Sequence, residues 1–146
     1  MAKFRYLPHT ADMKFRSYGR SFREALENSA AALINVMLDA DSINNEQSAP
    51  FRSIAINEEA HSETDLVWFT LQDILSAIDS RKLNAISFKV DYIKRLGKGR
   101  MKLSGRLICS SSKKDHSLLS VKAITPHGLN ISRRKGTVSI DVVADV

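Results

Sequence analysis

The sequence predicts an α+β fold in two layers: an antiparallel or mixed β-sheet with two amphipathic helices packed on it. Three observations carry this reading. Phe22, Ala25, Leu26, Ala30, Leu33, Ile34 and Met37 recur at helical spacing, as do Trp68, Leu71, Leu75 and Ile78. Several shorter runs instead alternate apolar and polar residues with the period of a half-buried strand. The elements then read β-β-α-β-α followed by further strands, an order that argues helices layered on a sheet.

Taken in order, Lys3 to Leu7 and Met13 to Tyr18 read as short strands, the second with Met13 and Phe15 alternating with Lys14 and Arg16. The join between them, Pro8 to Asp12, is too polar and short to be an element, and Gly19 breaks the chain. Ser21-Phe22-Arg23-Glu24 is a capping box, opening a first helix that runs to about Asp39. A polar loop follows as far as Pro50, then a strand from Phe51 to Asn57. The second helix starts near Ser62 or Glu63, where Glu63 and Asp65 suit the positive end of its dipole. Ile86 to Tyr92 and Met101 to Leu107 alternate on either side of Gly97-Lys98-Gly99, an antiparallel hairpin. A loop from Ser110 to Ser117 leads to a strand near Leu118–Ile124. Arg133 to Gly136 then turns the chain into a last strand, Thr137 to Val143.

The chain has 146 residues, which suits a single domain over 1–146 with a core that needs no staples. Its lone Cys109 cannot form an internal disulfide, and no apolar run is long enough to span a bilayer, so a cytoplasmic location without membrane contact is expected. Charge is divided unevenly: residues 1–80 carry 7 basic and 12 acidic side chains, and residues 81–146 carry 15 and 4. A basic half suits a nucleic-acid or acidic partner. The positive residues are nonetheless scattered along alternating patterns, as solvated strand residues are.

No phosphate-binding Gly-rich loop opens a helix, and neither a Gly-x-Ser-x-Gly elbow nor a Cys-x-x-Cys pair is present, so the motifs indicate no enzyme and no catalytic residue. Cys109 falls in an alternating run and reads as a core residue. His61 and His116 lie in polar stretches and read as solvated. His9 and His127 each follow a turn-forming proline at the mouth of a strand, and Asp12 stands three residues after His9. On spacing alone Asp12 reads first as a turn former that caps backbone N–H groups. At the other end, Asp145 and the α-carboxylate of Val146 bring two oxygen anions within one residue. With a third carboxylate they would suit a hard cation; alternatively the terminus frays in water.

A family resemblance adds to this. Tyr6-Leu7-Pro8-His9-Thr10-Ala11-Asp12, Tyr18-Gly19 with Ser21 to Glu27, Asp65 to Phe69, Val121 to Leu129 and the closing Asp145-Val146 resemble the archease family along the whole chain. One departure is Pro126, where the family has Tyr before the second histidine. The resemblance implies an activator of the tRNA-splicing RNA ligase, which joins ends bearing a 2′,3′-cyclic phosphate or 3′-phosphate to a 5′-hydroxyl. The activator promotes guanylylation of the ligase's active-site histidine, sustains multiple turnover and widens the choice of nucleoside triphosphate. The resemblance further implies a divalent cation, Ca²⁺ or else Mg²⁺ or Mn²⁺, on Asp12, Asp145 and Val146. His9, Lys122 and His127 are then the adjacent residues for contact with ligase or nucleotide, and tRNA is met through the ligase complex.

Two other classes stand beside this reading. A direct RNA-binding module predicts steeply salt-dependent tRNA binding without ligase, although aromatics at 7% are scarce for stacking. A chaperone for RNA-modifying enzymes such as a tRNA methyltransferase calls for an exposed apolar patch.

Overall fold

The computed structural model describes residues 2–8, 11–46 and 50–146. Its elements are β1 (Phe4–Leu7), β2 (Met13–Gly19), α1 (Phe22–Met37), α2 (Ala40–Asn44), β3 (Phe51–Ala60), α3 (Glu63–Arg81), β4 (Asn84–Gly97), β5 (Arg100–Ser110), β6 (Ala123–Arg134) and β7 (Thr137–Asp145). Helix starts follow the capping chemistry of the sequence. The Glu24 N–H donates to Ser21 Oγ at 3.1 Å and the Asp65 N–H to Ser62 Oγ at 3.0 Å. Short α2, capped by Asp39, occupies part of what reads as loop.

The α+β class is present, but the strands divide into two antiparallel sheets, ordered β1-β2-β7-β6 and β3-β5-β4. Each long helix touches both. Helix α1 packs on β2 and β7 of the first sheet and β4 of the second, and α3 packs on β6 of the first and β3 of the second. That explains why α1 is buried on nearly every side, from Ala25 and Leu26 round to Ala32, Val36 and Met37. A helix covering one sheet would bury a single stripe. Phe15, Leu26, Leu33, Leu71, Ile74, Leu103 and Leu107 lie within one continuous apolar cluster that joins the layers.

Two hairpin turns need left-handed backbone at both central residues. Lys98 and Gly99 have φ of 55° and 76°, and Lys135 and Gly136 have 51° and 76°, the type I′ arrangement that matches strand twist. The strand expected near Leu118–Ile124 instead begins at Ala123 and continues to Arg134. Pro126 reads as a turn former, and Gly128 follows two residues on. In the structure they fall in a bulge, because pairing jumps from Thr125↔Val143 to Asn130↔Asp141. His116 is another correction. It is buried, and its Nε2 lies 2.5 Å from Glu46 Oε1, so a polar neighbourhood in sequence is here a closed contact between imidazole and carboxylate.

Where α3 crosses β3, Glu58 meets Asp73. Burial first, then the hydrogen bond and charge of Asp73, push the Glu58 carboxyl up from its ordinary 4.5 to about 7. The folded state therefore keeps a proton that the unfolded chain releases between these values, so stability falls as pH rises through that window. Glu58→Gln is expected to flatten this fall and leave the protein about 1–2 kcal/mol more stable than the parent at alkaline pH, after discounting for solvent screening. Urea midpoints of both proteins at pH 5 and pH 8 check it. Equal differences at the two pH values would refute the pairing.

Candidate functional site at one end of the first sheet

Strand β7 lies between β2 and β6, and three chain segments converge where it ends. In β2 the last pair is Met13↔Ala144, so Asp12 stands one step beyond, level with Asp145. In β6 the first pair is Ala123↔Asp145, so Lys122 stands level with Val146, and its N–H donates to the Asp145 carbonyl oxygen at 2.7 Å. Antiparallel register thus brings together four residues that are as much as 134 positions apart in sequence: Asp12, Lys122, Asp145 and Val146. Asp12 is half-buried, Lys122 and Asp145 are exposed, and Val146 leans on the apolar core.

Backbone strain sits next to the first of these. Ala11 has φ of 91°, a conformation that a residue with a Cβ rarely adopts and that the surrounding fold must enforce. It bends the chain just before Asp12 enters the sheet.

The other flank is held by α3. Strand β6 is an edge strand, so Ile124 would leave backbone groups without a sheet partner on its outer side. Trp68 Nε1 donates to the Ile124 carbonyl at 2.9 Å, and Gln72 Oε1 accepts the Ile124 N–H at 3.0 Å. The sequence marks Trp68 as part of an apolar stripe and of the family segment Asp65 to Phe69, with no role attached; its indole donor is what fixes the start of β6, and with it Lys122. Trp68→Phe is expected to cost about 1–2 kcal/mol through the orphaned carbonyl. The check is a urea midpoint, with amide exchange at Lys122 and Ala123 rising more than elsewhere.

His127 is exposed on the β6 bulge. The bulge lies across from Val142, about 10 Å along β7 from Asp145 at the usual rise per residue. Pro126 fits here because the ladder is open and no N–H is missed. Gly128, with φ of 88°, lets the bulge close over Val143, whose Cγ2 would lie 3.1 Å from an added Cβ. His9 lies outside the described residues.

As a donor set, Asp12, Asp145 and the oxygens of Val146 are all hard ligands, of the kind Ca²⁺ takes. Among the described residues no group of three His, Cys, Asp or Glu side chains is placed to hold a metal ion. A cation at this end would need oxygens besides those of the two aspartates. No helix among the described residues is long and apolar enough to cross a membrane.

Comparison with known proteins places this geometry. Residues 4–146 match the model of the Archease protein family (MTH1598/TM1083). Protein archease of Sulfolobus acidocaldarius is 30% identical over the full length of both chains. An archease-like protein of Dictyostelium discoideum is 28% identical over all of this chain and 95% of its own. None of these relatives carries the name of an enzyme. The solution structure of Methanobacterium thermoautotrophicum protein 1598 superposes with a TM-score of 0.74 at 25% identity, covering both chains completely. The crystal structure of a Thermotoga maritima archease, described as a possible chaperone, superposes with a TM-score of 0.53 at 24% identity, over 96% of this chain and 94% of that one. With a family match that runs from the first strand to the last residue, the chain belongs to the archease family.

Proposed function

We propose that this protein is an accessory factor of the tRNA-splicing RNA ligase, promoting guanylylation of the ligase's active-site histidine and so sustaining repeated turnover, with a wider choice of nucleoside triphosphate. The observation that supports this reading is the meeting of Asp12, Asp145, Val146 and Lys122 at one end of β7. The two aspartates and Val146 would hold a divalent cation, Ca²⁺ in preference to Mg²⁺ or Mn²⁺, since Ca²⁺ accepts irregular sets of carboxylate and carbonyl oxygens. When bound, such an ion supplies positive charge that orients phosphate oxygens. Lys122 presents a second, mobile point charge to the same phosphates. His127 stands on the neighbouring bulge as a contact residue, joined by His9 on the family motif. tRNA is met through the ligase complex, in the cytoplasm.

The test is a count of ligation turnovers per ligase with the protein limiting, in GTP and Mn²⁺. Turnover well beyond the first cycle is expected. No change on adding the protein would sink the proposal.

One observation favours a second reading, a chaperone for RNA-modifying enzymes such as a tRNA methyltransferase. Leu118 and Leu119, 61% and 39% exposed, border a cavity of about 470 Å³ whose floor includes Met37, Leu38 and Leu83. Suppression of client aggregation, lost in Leu118→Ser, is its expected mark.

A further inference from the structure

The outer face of the β3-β5-β4 sheet carries an arrangement that folding alone does not favour. Register sets Lys89 directly opposite Arg106 and Lys94 directly opposite Lys102, with the pair Tyr92↔Ser104 between them. Like charges directly opposite each other on one sheet face repel and destabilise it. Two such pairs share the face, about 13 Å apart along β5, one on either side of the Tyr92↔Ser104 pair.

The carboxylates nearby are already engaged. Asp91 accepts from Arg106 Nε at 2.9 Å, and Glu59, which faces Lys102 from β3, lies 3.3 Å from Arg100 and pairs with it instead. Lys89 and Lys102 make no ion pair among the described residues, and Lys94 Nζ sits 4.5 Å over the Tyr92 ring. The face thus holds three lysines with no carboxylate partner among the described residues, grouped round one aromatic ring.

The backbone beneath is shaped for this. A β-bulge between Val90 and Tyr92 re-aims both Asp91 and Tyr92 outward. Helix α1 pins the bulge from inside: Glu27 Oε2 accepts the Val90 N–H at 2.9 Å, and Arg23 donates to the Val90 carbonyl.

We infer that this face is a platform for single-stranded nucleic acid, with Lys89, Lys94 and Lys102 on successive phosphates and a base stacked on Tyr92. Paired lysines flanking a ring match a chain that alternates anionic phosphates with flat bases, since the phosphates relieve the repulsion while the base takes the ring face that Lys94 vacates. An acidic protein surface would use the lysines and leave Tyr92 without a role. The inference is independent of the ligase reading, because it concerns the opposite sheet and needs no ligase.

The test is anisotropy of the full chain with a labelled 12-nucleotide oligouridylate, and with the matching oligodeoxythymidylate, across a salt series. Lys94→Gln/Lys102→Gln is expected to weaken binding about tenfold and to flatten the log–log salt slope by about 1.4. The same variant is expected not to lower the melting temperature, because it removes opposed like charges; a residue with a merely structural role would lower it. Tyr92→Leu is expected to weaken binding at least about fivefold with the slope unchanged. Tighter binding of one oligonucleotide identifies the sugar preferred. Equal loss in Lys14→Gln/Lys135→Gln, on the other sheet, would overturn the platform, and so would tighter binding of poly-glutamate than of either oligonucleotide.

Discussion

Gly19→Ala is expected to destabilise the protein by about 3 kcal/mol or more, at the upper end of what overpacking costs. Gly19 ends β2, and only Arg20 and Ser21 separate it from α1. A Cβ there would stand 2.4 Å from the Ala25 nitrogen and 2.9 Å from the Glu24 carbonyl carbon. Both are backbone atoms of the first helical turn, so no rotamer change can make room and the helix itself must shift. The shift would strain the Ala25 N–H to Ser21 carbonyl bond of the first turn, at 3.0 Å, and the side-chain tie from α1 to β2, the Asn28 donation to the Tyr18 carbonyl at 2.6 Å. The urea midpoint measures the loss, and a midpoint within experimental error of the parent would show that the close approach is not there. Because β2 carries Asp12 at its other end, the same substitution is expected to disturb the site through the strand.

Where the fold was legible, the signal was local. The capping box at Ser21, the acidic residues Glu63 and Asp65 at the start of α3, the Gly97-Lys98-Gly99 turn and the apolar stripe of α1 all act within a few residues, and each element starts or turns where they indicate. The division into two sheets was not legible, because period-2 alternation says which face of a strand is buried but not which strand it pairs with. The burial of α1 on nearly every side was the available clue, in Ala32 and Val36 as well as the expected stripe. Strand β6 was misplaced for a different reason: Pro126 and Gly128 break a regular ladder, whereas a bulge admits both.

The candidate site divides the same way. Asp12, Asp145 and Val146 were marked by family motif and by residue type, and their meeting is a product of β2-β7 register. Trp68 was marked by helical spacing and by the family segment Asp65 to Phe69, neither of which points to β6, and Gln72, which shares the task, carried no signal. The basic face of the second sheet was hidden by its own regularity. Lys89, Lys94, Lys102 and Arg106 look scattered along the chain because strand residues that share a face are never adjacent in sequence.

The proposed cation site has a signature in stability as well as in activity. An ion that binds only the folded chain stabilises it by mass action, about 2.7 kcal/mol at one hundred times its dissociation constant. Calcium titrated into the metal-free protein is therefore expected to raise the unfolding free energy by that amount, and chelation to remove the gain. Asp12→Asn is expected to erase the increment, since an amide brings the cation no negative charge. The same variant is expected to reduce ligase turnover to the first cycle. Lys122→Ala separates the two roles. Its side chain is exposed and its backbone N–H keeps the bond to Asp145, so the calcium increment should survive while turnover falls. An increment that persists in Asp12→Asn would place the cation elsewhere. Turnover lost equally in both variants, with the increment lost in Asp12→Asn and kept in Lys122→Ala, would assign ion binding to the aspartates and phosphate contact to the lysine.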